Sequence, residues 1–149
     1  MTEIKETSQY KITPGEVSPD KTLREDEGWF KMDVRWVVTN ENFDSQSTVV
    51  GRTILAPGIG AKHDIHRHPN AEEWEYVLHG VGIKHIGDET FYMRAGDLAF
   101  HPRDTYHGLE NGSATEPLIT LWGYTGASSL EEAGYFTPED DGEPAAREG

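Results

Sequence analysis

The sequence predicts an all-β fold, a sandwich or barrel of short strands, with one short helix near the C-terminus. Three observations carry that reading. Segments rich in Val, Ile, Tyr, Phe and Trp recur at close, even spacing. Gly and Pro turns break the chain between them. The chain has 149 residues, the size of one domain, and no internal repeat divides it.

Each element has its own signal. Residues 1–28 are polar, with Pro14, Gly15 and Pro19, and are expected to form a loosely held arm with at most one edge strand. The barrel is expected to span residues 29–126. Its first strand is Lys31 to Thr39, which carries Val34, Trp36, Val37 and Val38. Ser47 to Ala56 is the second and stops at Pro57-Gly58. Glu73 to Leu78 and Val81 to Ile86 follow, separated by Gly80, and Gly87-Asp88 is a hairpin turn into Thr90 to Arg94. Leu98 to His101 ends at Pro102, and Pro117 to Tyr124 is the last strand. Within residues 127–149, Ser128 to Gly134 reads as a helix. Ser128 or Ser129 can cap it, Glu131 and Glu132 suit its first turn, and Gly134 ends it. The acidic tail from Pro138 is expected to be mobile.

Charge and composition remove several functions. Asp and Glu number 27 against 13 Lys and Arg, and the net charge is -14. Nucleic acid needs a basic face, so it is not an expected partner. Anionic membrane surfaces are disfavoured for the same reason. No stretch approaches the roughly 20 apolar residues of a membrane span. The first ten residues are polar rather than signal-like, and a cytoplasmic location is expected. The absence of cysteine excludes disulfides and thiolate metal sites.

Histidine is concentrated. His63, His66 and His68 fall within six residues. On a strand, the spacing of His66 and His68 puts both rings on one face, roughly 7 Å apart. Two imidazoles at that separation can meet at one ion, at about 2.1 Å each. Glu73 follows a turn at Pro69-Asn70, and His107 lies beyond a Pro-Arg-Asp turn. A sheet closing on itself could bring His107 opposite the first pair.

These residues carry a resemblance to the cupin superfamily. Its first motif is matched by Gly60, His66, His68, Glu73 and Gly80 at the family spacing, and its second by Gly96, Pro102, His107 and Asn111. Asp104 departs from the pattern, which has Gly there. Asp tolerates a left-handed backbone, so the departure is mild. The resemblance implies a double-stranded β-helix, or jelly roll. It implies one divalent metal per chain, held by His66, His68, Glu73 and His107, and homodimers formed through the sheets. The stretch Glu73-Trp74-Glu75-Tyr76 is similar to that of oxalate decarboxylases, which have two such domains.

The motif gap and strand alternation both select Glu73 over Glu72. The same alternation turns Glu75 inward, where a second carboxylate is either an acid or base with a raised pKa or a rim group in water. His101, Tyr106, Trp122 and Tyr124 are candidate pocket residues, against a plain core role for the aromatics. His63 reads as a loop histidine or an outer support of the ligands. His79 and His85 read as structural, and Asn111 as a turn residue.

Four protein ligands leave open positions on a six-coordinate ion. That suits Fe(II) first, then Mn(II) or Ni(II), better than a closed Zn(II) site, although Zn(II) is accepted by the same residues. The leading functional expectation is an Fe(II) dioxygenase that cleaves a carbon–carbon bond of a hydroxylated aromatic or diketone-like small molecule. The alternatives are a redox-neutral lyase, isomerase or decarboxylase with Glu75 as base, and a module that binds a small acid or sugar without turnover.

Overall fold

A computed structural model describes residues 3–142. Ten strands form two five-stranded antiparallel sheets. They are β1 (Trp29–Phe30), β2 (Met32–Val38), β3 (Thr48–Leu55), β4 (Lys62–His66) and β5 (Glu72–His79), then β6 (Val81–Ile86), β7 (Glu89–Arg94), β8 (Leu98–His101), β9 (His107–Asn111) and β10 (Leu118–Thr125). The sheet orders are β1-β4-β9-β6-β7 and β2-β3-β10-β5-β8. Most successive strands cross from one sheet to the other, while β2–β3 and β6–β7 stay as hairpins within a sheet, which is the expected jelly roll.

The core lies between the sheets. Val34, Val49, Leu55, Val77 and Leu118 are completely covered there. Alternation along β3 and β5 puts every second side chain in that layer. Gly51 is required by close approach: a Cβ there would stand 2.1 Å from the Trp122 ring on neighbouring β10. Asn111 fixes the turn after β9, donating to the carbonyls of Ala56 and Glu116 at 2.9 Å each.

The arm was expected to be loosely held, with at most one edge strand. Residues 3–28 contain no strand. They carry two 3-10 turns, Pro14–Glu16 and Glu25–Glu27. Part of the arm is tied to β2: the Asp20 amide donates to the Val34 carbonyl, and Arg35 Nη1 donates to the carbonyls of Gly15 and Val17 at 2.7 and 2.8 Å. A polar stretch can be fixed by side-chain hydrogen bonds without ladder pairing, which is why composition suggested looseness.

The predicted helix is present as one turn, α1 (Leu130–Ala133). Ser129 caps it, accepting from the Glu132 amide at 3.1 Å. Glu132 reaches back to the Ser128 amide at 3.0 Å, completing a reciprocal cap. The tail beyond is docked as far as it is described. The Asp141 carboxylate takes both Nε and Nη2 of Arg67, at 2.9 and 2.7 Å. The expectation of mobility for residues 143–149 lies outside the described residues. Among the described residues, no helix is long and apolar enough to cross a membrane.

Candidate metal centre

The site is built from both sheets. β4 and β9 bring His66 opposite His107, where the two residues are register partners. His68 stands just past the end of β4. From the other sheet, β5 supplies Glu73, flanked by His101 on β8 and Tyr124 on β10. All four predicted ligand residues are buried. One ligand atom from each of His66, His68, Glu73 and His107 lies within 4.8 Å of all the others. Nε2 of His68 and of His107 sit 3.1 and 3.2 Å from the same oxygen, Glu73 Oε1.

The tautomers follow from the backbone. Nδ1 of His66 is 2.6 Å from the Asp64 carbonyl, Nδ1 of His68 is 2.6 Å from the Gly134 carbonyl, and Nδ1 of His107 is 3.0 Å from the Thr105 carbonyl. A carbonyl only accepts, so each Nδ1 carries the proton and donates it. Each neutral ring therefore presents a bare Nε2. Nε2 of His68 and of His107 is buried without a hydrogen-bond partner among the described residues. Lone pairs turned toward a carboxylate oxygen repel it unless a cation lies between them. A divalent ion fits this donor set, and the carbonyls would orient the rings toward it.

Electrostatics favours the ligand forms. Burial holds His66 well below its ordinary pKa, and the neighbouring imidazoles add to the effect. Burial also lowers His107, although Glu73 opposes it. For Glu73 burial acts upward, but His107 and His101 outweigh it and hold the carboxyl well below its usual range. These directions favour neutral His66 and His107 and an ionised Glu73, the states that bind metal.

Other expected site residues divide. Glu75 does face inward and is buried. Its Oε1 accepts from Lys84 Nζ at 2.7 Å and its Oε2 from Thr120 at 2.8 Å. The rim-group alternative is therefore excluded. His101 is buried against His107, ring centroids 4.1 Å apart, and burial lowers its pKa to about 4. Trp122 and Tyr124 line a cavity of about 30 Å³ beside Glu73, Glu75 and His107. Tyr106 does not line it: its hydroxyl donates to Asp141 on the outside of the barrel. Tyr106 lies just before β9, in the turn that precedes His107.

His63 is not a loop histidine. It lies on β4, stacked 3.8 Å from Trp29 and 3.9 Å from His66, and it bonds to the Tyr135 hydroxyl at 3.0 Å. A shift of register between His63 and His66 puts both rings on the cavity side despite their odd spacing. His79 stays exposed, 3.4 Å from Glu116, while His85 is buried and bonds to Glu110 at 2.6 Å. A larger cleft of about 670 Å³ lies beyond His63. Glu27, Asp64, Glu110 and Glu139 are among its walls, and none of the four clustered ligand residues is.

Sequence reasoning missed Lys84, Tyr135 and the Gly134 carbonyl. Alternation along β6 was a usable signal for Lys84, because Gly82 and Lys84 share the inward face. Nothing local signals that a carbonyl 66 residues away will orient His68.

The comparisons agree with this geometry. Residues 51–124, which hold all four clustered residues, match the Cupin domain family. The chain belongs to the cupin superfamily. It is 37% identical over 91 residues to a probable oxalate decarboxylase of Arthroderma benhamiae, covering 57% of this chain and 22% of that protein. It thus spans about a fifth of the length of the first curated relatives it matches. It is 23% identical over 113 residues to an oxalate-binding protein of Thermotoga maritima, covering 76% of this chain and 92% of the relative. A solved structure of the Bacillus subtilis oxalate decarboxylase, described with Mn(II) centres, superposes with a TM-score of 0.61 at 24% identity, over 78% of this chain and 29% of that one.

Proposed function

We propose that this protein is a metal-dependent cupin enzyme acting on a small carboxylic acid of the oxalate type by redox-neutral chemistry, with decarboxylation as the leading reaction. The carrying observation is the convergence of one ligand atom from each of the buried His66, His68, Glu73 and His107 beside a small cavity. His66, His68, Glu73 and His107 would hold the ion, which when bound supplies a Lewis-acid position for a substrate oxygen. The surrounding side chains then shape the reaction. Trp122 and Tyr124 wall the cavity and limit water, and the buried Glu75–Lys84 pair sets its charge. Glu75 serves better as an anchor than as a free base, because both its oxygens already accept hydrogen bonds.

The Fe(II) dioxygenase reading has less support. The relatives' names point to oxalate chemistry rather than to an aromatic or diketone substrate. Fe(II) therefore loses its preference, and Mn(II) stands beside it because the Bacillus subtilis relative is described with Mn(II) centres. The test is anaerobic incubation of the Mn(II)-loaded protein with oxalate. Formate and carbon dioxide are expected, and absence of product for every small acid tried would overturn the enzymatic reading. Binding without turnover is the second reading, favoured by the name of the Thermotoga maritima relative.

Self-association is also part of the proposal. Tyr76 and Leu78 on β5 and Leu98 and Phe100 on β8 are 38–63% exposed on the outer face of one sheet. This apolar strip supports a homodimer. Light scattering should return twice the chain mass, and a monomer at high concentration would contradict it.

A further inference from the structure

Holding a metal does not use the Glu75–Lys84 pair. Lys84 is 1% exposed, on the inward face of β6, and lines the same small cavity as Glu73, His66 and His107. A buried ammonium and carboxylate are costly unless their hydrogen-bonding capacity is met. For Glu75 it is met, by Lys84 on one oxygen and Thr120 on the other. For Lys84 the protein accounts for part of it. An ammonium carries three donors, and Glu75 is its hydrogen-bond partner among the described residues.

His101 repeats the pattern. It is 1% exposed, and neither ring nitrogen has a hydrogen-bond partner among the described residues. One of its ring nitrogens lies within 4.8 Å of carboxylate oxygens of both Glu73 and Glu75. A second metal among these three is disfavoured, because the Lys84 ammonium already stands 2.7 Å from Glu75. With a divalent ion on the four clustered ligands, the two carboxylates and the ammonium leave one net positive charge. An anionic acceptor in the cavity would match that charge and the donors of Lys84 that face it.

We propose that Lys84, held in place by Glu75 and Thr120, recognises the anionic end of a small carboxylate whose other end reaches the His66, His68, Glu73 and His107 cluster. This rests on the small-acid reading above. Lys84 would then set specificity for a second carboxylate over a neutral group at the same position.

Calorimetry with two probes tests it. Oxalate carries a second carboxylate, and oxamate replaces it with a neutral amide. The Mn(II)-loaded wild type should prefer oxalate. In Lys84→Met that preference should fall by about ten- to a hundredfold, the worth of a charge-assisted hydrogen bond. Metal content by elemental analysis should stay unchanged. Removing one partner of a buried ion pair endangers folding, so the double variant Glu75→Gln with Lys84→Met is measured alongside, and the same collapse of preference is expected. A purely structural role would weaken both probes equally, and an unchanged oxalate-to-oxamate ratio would overturn the proposal. Failure of the wild type to bind either probe would instead bring down the small-acid reading, and this inference with it.

Discussion

The choice between Glu72 and Glu73 shows how far single residues could be read. Two neighbouring carboxylates are chemically alike, and only register separates them. Glu73 is buried beside three imidazoles while Glu72 is exposed. Asp104 was legible in the same way: it stands where the motif has Gly and adopts φ 62°, which Asp tolerates. Tyr106 was not legible, because an aromatic next to a ligand has equal claims on cavity and exterior until the ligand's own direction is known. His63 needed an irregularity in β4 that no spacing rule contains. The buried histidines also set a pH dependence. Burial lowers His63, His66 and His101 below the ordinary value of 6.5, His101 to about 4. The unfolded chain takes up protons near pH 6.5 that the folded chain refuses, so stability is full above that pH and is lost as pH falls. The metal-free protein should show a flat melting temperature from about pH 7 to 8 and a steady fall between about pH 6.5 and 4. Differential scanning fluorimetry checks this, and a melting temperature constant across that window would contradict the burial of neutral imidazoles.

Strands were legible where their composition is. β6 was placed without error, and β3, β5, β7 and β10 to within a residue at either end, because Val, Ile, Thr and aromatics fill them. β4 and β9 read as Lys-His-Asp-Ile-His and His-Gly-Leu-Glu-Asn, sequences with little strand preference. They pair with each other and carry two of the four clustered ligand residues. Their composition answers to the site rather than to the sheet, so local propensity misreports them. Contacts at the C-terminal end were hidden for a related reason. The acidic tail from Pro138 was expected to be mobile, and within it Asp141 pairs with Arg67 of the motif region. Ahead of the tail, at the end of the expected helix, the Gly134 carbonyl fixes the His68 tautomer.

At the scale of the molecule, antiparallel pairing within one sheet aligns His66 with His107, 41 positions apart, and the facing sheet brings Glu73 against them. The pairing also explains the small cavity. Large inward side chains, Trp122 and Tyr124 among them, fill much of the barrel and leave a small cavity beside the ligand cluster. The central claim is that His66, His68, Glu73 and His107 hold one divalent ion. Elemental analysis of the purified protein after equilibration with Mn(II) and gel filtration tests it most directly, with His107→Ala as the comparison. The account predicts about one ion per wild-type chain and a loss of most of it in the variant, since removing a direct ligand costs more than the ten- to roughly hundredfold seen for outer supports. A wild-type chain that retains no Mn(II) or Fe(II), or a variant that retains as much as wild type, would contradict it.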